Sequence, residues 1–166
     1  RLFHDRDGNR KYDMKMRLFE HQSEVAAPVK QLAMFHQDAW ALRILTPPPA
    51  LVQFHMVQPL KEGSVADFTM WLGPIPVRWV AVHRDVDPER GFTDAMMRGP
   101  FEAWVHQHRF EALDANRTRV IDSIQALPGA HPFWGLVSKI MWNNLPFLFR
   151  YRRWQTRRVL QKHRDG

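Results

Sequence analysis

The sequence predicts an α+β fold in which one strand and two short helices precede six strands in hairpin succession and a long closing helix. Three observations carry this. Apolar and polar residues alternate with period two through most of residues 51–127, and that stretch is cut by Gly, Pro, Asp and Asn turns rather than by helices. From residue 144 onward the apolar residues switch to a helical spacing. The length of 166 residues suits one domain, and a chain of that size buries roughly 70% of its unfolded surface.

Residues 1–15 are polar, charged and aperiodic, so they read as an N-terminal extension, with Met16 as the expected natural start and 16–163 as a single domain. Asp5, Asp7, Gly8 and Asn9 faintly suggest a calcium loop. With Gly8 at the loop's sixth position, however, Phe3 and Met14 fall where carboxylates belong, so calcium is not expected. The alternation in residues 17–25 is that of a half-buried strand. Val29, Leu32, Ala33 and Phe35, then Trp40, Leu42 and Ile44, have the spacing of two short helices. Thr46-Pro47-Pro48-Pro49 ends the second, because proline lacks the amide hydrogen a further turn needs.

Strands are expected over residues 51–57, 64–72, 77–86, 92–98, 102–113 and 117–127, with turns at Gly63, Gly73-Pro74, Asp87-Pro88, Gly99-Pro100 and Asp114-Ala115-Asn116. No helix separates them, so neighbours pair antiparallel. A turn or short helix is expected over 133–142. A longer helix then starts near Asn144 with Pro146 in its first turn, where a missing amide hydrogen costs little. Phe147, Leu148, Tyr151, Trp154 and Val159 form the stripe expected to meet the sheet, with Arg150, Arg153, Arg157 and Arg164 on the other side.

Composition narrows the function. There are no cysteines, which excludes disulfide scaffolds, thiolate metal sites and cysteine nucleophiles. No apolar run approaches the ~20 residues of a membrane span, and a cytoplasmic protein is expected. Of the net charge of +7, the segment from Arg150 onward supplies seven Lys or Arg against one Asp, leaving +1 for everything before it. A nucleic-acid binder would spread that charge over a face, so nucleic acid is not expected. The basic helix, through Arg150, Arg153 and Arg157, is either a solvated face or a contact for an anionic membrane surface or partner.

From Met16 to about Gln161 the chain resembles the START-like SRPBCC superfamily, whose bacterial members are often polyketide cyclase/dehydrase-like or lipid-transport proteins. The residues carrying the likeness are Ala27-Pro28, Leu45-Thr46-Pro47-Pro48, Leu72-Gly73-Pro74-Ile75-Pro76-Val77-Arg78-Trp79, Gly91-Phe92-Thr93-Asp94 and Gly99-Pro100-Phe101 with Trp104, His106, His108 and Phe110. Thr118, Val120, Asp122 and Ile124, then Phe149-Arg150-Tyr151-Arg152, complete it. The resemblance implies a helix-grip (birch-pollen-allergen-like) fold, in which a curved antiparallel sheet of about seven strands surrounds the C-terminal helix and leaves a pocket between them. These motifs are structural and identify no reaction.

Side chains two apart on a strand share a face, which groups Trp79, Ala81 and His83; Trp104, His106, His108 and Phe110; and Thr118, Val120, Asp122 and Ile124. The intervening residues, Arg78, Arg84, Arg109 and Arg119 with Val105, Ile121 and Ser123, belong to the solvent side. A hairpin turning about Ala115 sets Phe110 against Val120 and His108 against Asp122, placing imidazole beside carboxylate in an apolar enclosure. Such groups can satisfy one another and fix the register, anchor a ligand's polar end, or act as acid and base. Trp71, Trp79, Trp104 and Trp154 can be plain core or ligand platforms.

The expected function is binding or carriage of a small hydrophobic ligand such as a lipid, quinone, polyketide or other aromatic. Its expected contacts are Trp79, His83, Trp104, His106, His108, Phe110, Asp122, Tyr151 and Trp154. The alternatives are a cyclase or dehydratase using His83, His106, His108 and Asp122, and an interaction module built on the basic helix. No cofactor is expected. A metal is not expected either, because His106 and His108 supply two ligands and a third must come from another element.

Overall fold

The computed structural model describes residues 16–162; the polar extension and its calcium-like motif lie outside the described residues. The elements are β1 (Arg17–Val25), α1 (Val29–Gln37), α2 (Ala39–Ile44), β2 (Leu51–Val57), β3 (Val65–Leu72), β4 (Ile75–Asp87), β5 (Gly91–Arg98), β6 (Phe101–Asp114), β7 (Arg117–Pro128), α3 (Pro132–Asn143) and α4 (Leu145–Lys162). The seven strands form one antiparallel sheet in the order β1-β7-β6-β5-β4-β3-β2, so the first strand closes beside the last. Register shifts in the β2/β3, β4/β5 and β6/β7 pairs bend the sheet toward α4. The helix-grip architecture implied by the resemblance is the one observed.

Local chemistry explains the joints. Asp38 ends α1 and starts α2 by accepting the Trp40 amide at 2.8 Å. Asp114 accepts the Asn116 amide at 2.9 Å and the Arg117 Nε at 2.6 Å, which fixes the last hairpin with His108 opposite Asp122 and Phe110 opposite Val120. Thr118 Oγ1 donates to the Ala27 carbonyl at 2.8 Å and ties the start of the helical segment to the central sheet. Gly91 (φ +128°) has backbone pressed against β6: a Cβ there would lie 1.9 Å from the His108 carbonyl oxygen.

The inner face carries two apolar clusters. One joins Phe68, Trp79, Trp104, Ile124, Leu145 and Phe149; the other joins Val25, Leu32, Ala33, Phe110, Val120 and Leu160. Along β6 the order is Trp104, His106, His108, Phe110, and along β7 it is Ile124, Asp122, Val120. A polar belt therefore separates the two clusters.

Two expectations need correction. The stripe on α4 is rotated: Leu145, Phe149, Thr156 and Leu160 are buried, whereas Phe147 is 59% and Trp154 53% exposed. Aromatic bulk did not decide the helix's orientation. The observed rotation turns Arg152 inward, where it feels the charges of Asp122 and Asp94 and its Nε reaches the Leu45 carbonyl at 3.4 Å. Ile121, assigned to the solvent side, is buried, on a central strand between Gln22 and Arg109.

Candidate functional site: a hollow with a polar inner wall

Sheet and helices enclose a cavity of about 510 Å³. That is within the ~300–1,000 Å³ common for small-molecule sites. Its walls are mainly apolar, among them Phe68, Ala81, Trp104, Ile124 and Phe149. Trp79 and Trp104 meet edge to face at 5.4 Å and form one rigid wall. The opening is marked by lining residues that are exposed: Pro48, Gly73, Asn144, Phe147 and Ile140. Gln37 and Asp38 at the α1–α2 joint and Gln58 after β2 also line it and are exposed, so the rim includes these as well as the proline turn, the β3–β4 turn and the junction of α3 with α4.

At the inner end stands a chain of imidazoles and carboxylates. Asp122 Oδ1 accepts from His106 Nε2 at 3.0 Å and lies 2.8 Å from His108 Nδ1, the latter a close ion pair set off the line of a hydrogen bond. His108 Nε2 reaches Asp94 Oδ2 at 3.4 Å. Asp94 Oδ1 in turn lies 3.2 Å from His83 Nε2, whose other nitrogen is held by Ser64 Oγ at 2.9 Å. The ring centroids of His106 and His108 lie 3.9 Å apart with the planes tilted by 45°, and His36 from α1 closes over His108 at 6.1 Å. Asp122 and His106 are buried, while Asp94 keeps 25% of its side chain accessible and lines the cavity.

Burial and charge divide these groups into two protonation classes. Burial works against a cation at His108, but the pull of Asp122 and Asp94 outweighs it and raises this imidazole to about 9. Burial, reinforced by that neighbouring cation, lowers His106 to about 4 despite its bond to Asp122. His36 is lowered to about 4 by burial and by His108. Burial opposes ionisation of Asp122 and Asp94, yet bonds to the histidines bring both below the ordinary carboxylate range. Burial also lowers the Arg152 guanidinium, which Asp122 and Asp94 partly restore. At neutral pH the belt thus holds two anions, Asp94 and Asp122, and two cations, His108 and Arg152. His106 and His36 are neutral. Since an ionised Asp122 only accepts, His106 carries its proton on Nε2 and its lone pair on Nδ1.

Of the residues singled out from sequence, Trp79, His83, Trp104, His106 and His108 line the cavity. Asp122 stands behind the histidines and faces a second, water-sized hollow of about 30 Å³ beside His21, His36 and Thr156. Phe110 is buried in the second apolar cluster. Tyr151 and Trp154 stack on each other at 5.8 Å away from the cavity wall. Of the basic set, Arg150 and Arg153 are exposed, but Arg157 donates to the Glu24 carbonyl at 3.1 and 2.9 Å and fastens α4 to β1. Sequence reasoning missed Asp94, Arg152 and His36. Asp94 had a usable signal, since it lies two residues from Phe92 on one strand face.

No family model matches the chain, and no curated protein does. Solved structures do share its fold. The Zhui aromatase/cyclase of a Streptomyces strain superposes with a TM-score of 0.70 at 18% identity, over 89% of this chain and 95% of that one. Norcoclaurine synthase from Thalictrum flavum, in complex with dopamine and hydroxybenzaldehyde, superposes with a TM-score of 0.68 at 15% identity, over 90% and 88%. The shared feature is the helix-grip fold with its hollow, and at these identities the likeness is one of architecture.

Proposed function

We propose that the protein binds a small, largely apolar molecule in the 510 Å³ cavity, with the molecule's polar end against Asp94, His106 and His108. The observation that carries this reading is the asymmetry of the hollow, which has mainly apolar walls and gathers its buried charged groups at its inner end. Apolar burial supplies on the order of 25 cal/mol per Å² before association costs, and the belt sets orientation. The complex of the similarly folded norcoclaurine synthase with dopamine and hydroxybenzaldehyde supports an aromatic or otherwise planar ligand bearing oxygen. Native mass spectrometry of gently purified protein, with titration of the fluorescent apolar probe anilinonaphthalene sulfonate, is the test. A co-purifying organic mass or saturable probe binding is expected. Absence of both overturns the reading.

A second reading is favoured by one specific feature. His108, raised to about 9, and His106, lowered to about 4, are neighbouring imidazoles held in opposite protonation states at the cavity wall. That division is the arrangement an acid and a base require. A cyclase or dehydratase would use His108 to protonate a substrate oxygen and the Nδ1 of His106 to take a proton from carbon. In that case Asp122→Asn abolishes turnover of a polyketide-like substrate while probe affinity changes little. Retained turnover in that variant removes the catalytic assignment.

A further inference from the structure

We infer that Asp94, His106 and His108 form a site for one divalent first-row transition-metal ion, of the two-imidazole, one-carboxylate kind that suits iron(II) or zinc, on the inner wall of the cavity. The proposal goes beyond ligand binding and stands without it.

The sequence offered only two ligands, and strand pairing supplies the third. His106 and His108 share one face of β6, and Asp94 on β5 is paired directly opposite His106. One ligand atom from each lies within 4.8 Å of the others, the one such group of three among the described residues. Coordination at about 2.0–2.2 Å needs closer spacing. The contraction falls to the side chains, since β6 is paired on both sides and fixes the backbone under both rings.

The surroundings complete the pattern. Metal-binding histidines are oriented through their second nitrogen by a carboxylate or carbonyl. Asp122 takes that place for His106, whose Nε2 donates to it, and stands 2.8 Å from His108 Nδ1 as an ion pair, which leaves Nδ1 of His106 and Nε2 of His108 for an ion. The latter nitrogen already faces Asp94 Oδ2. On the far side, the other oxygen of Asp94 lies 3.2 Å from the Nε2 of His83, which Ser64 holds through its second nitrogen, without a hydrogen bond between them. That oxygen, Oδ1, is buried and has no hydrogen-bond partner. A donor set of nitrogen and oxygen without thiolate selects against copper(I) and for iron(II) or zinc, and the imidazoles disfavour magnesium and calcium. All three ligands line the cavity, so the ion's remaining positions face the hollow and are open to water or to an oxygen atom of a bound molecule.

The test uses the full chain, stripped with chelator, desalted and titrated with cobalt(II) as a spectroscopic stand-in. One equivalent is expected to bind with visible bands more intense than those of the aqueous ion. Zinc should displace it and magnesium should not. Asp94→Asn and His106→Gln are each expected to weaken binding at least about 100-fold, and Asp122→Asn by about 10- to 100-fold. His131→Gln, at an exposed residue remote from the cavity, should change nothing. Melting curves without metal establish that each variant folds. If wild type binds no cobalt saturably, or if Asp94→Asn and His106→Gln bind it unchanged, the site is refuted. Where one variant does not fold, the other and the wild-type spectrum decide. Probe titration of metal-free protein reports on the cavity alone, so a failed metal site and a failed ligand site give different results.

Discussion

The two apolar clusters draw on similar residue types and serve different ends. The first, around Trp79, Trp104 and Phe149, stands round a hollow, and most of its members touch empty space on one side. The second, around Leu32, Phe110 and Leu160, is filled by its own side chains, with α1 pressed against β6 and β7 and α4 packed on β1. The difference arises from what crosses above the sheet. Small and aliphatic residues, Ala27, Ala33 and Leu160, fill one end beneath the helices, whereas at the other Trp79 and Trp104 pack on each other and leave the hollow beside them. One end thus supplies most of the cohesion, and the other is free to accommodate a guest.

The largest expected effect is at the filled end. Phe110→Ala should cost about 4 kcal/mol in urea unfolding, since a fully enclosed ring leaves a cavity its neighbours cannot close. A loss below about 1 kcal/mol would mean that the two ends do not differ as described.

An intermediate effect comes from the belt between them and appears as a stability maximum in pH. His106 and His36, lowered to about 4 from the ordinary 6.5, bind protons in the unfolded chain before they do in the folded one, so stability rises as pH goes from about 4 to 6.5. His108, raised to about 9, contributes stability that is fully present below 6.5 and is lost as pH climbs through 9. Metal-free protein unfolded in urea across this range should therefore be most stable near 6.5. A monotonic profile would contradict the assigned protonation states.

The smallest effect on stability belongs to the hollow end. Ala81→Phe projects into free space and should change unfolding by no more than about 1 kcal/mol, while reducing affinity for the fluorescent probe at least about tenfold. Ala33→Phe, the same exchange at the filled end, should cost about 3 kcal/mol. Equal costs at the two sites would erase the distinction.

Much of the architecture was legible because strand parity is a local property. Alternation placed Trp79, His83, Trp104, His106 and His108 on one face, and the Asp114-Ala115-Asn116 turn fixed the last hairpin's register. What escaped depended on distant contacts. Asp94 joins the histidines through the pairing of β5 with β4 and β6, and the first of these carries register shifts that no turn motif announces. The rotation of α4 was misread because counting apolar bulk rewards Phe147 and Trp154, whereas the charges of Asp94 and Asp122 act on Arg152 only once β5 and β7 are in place. His36 was passed over because it follows Phe35 in a short helix and reaches the site only when that helix lies across β6.

Gly91 carries a last consequence. Its bare α-carbon lets one strand nestle against the peptide that bears His108, and any methyl group there would have to push that peptide aside. A single hydrogen at the start of β5 therefore sets how closely that strand approaches the backbone of His108. Alanine at this position offers a way to detune the interior by remote mechanical means, leaving every ionisable group chemically intact.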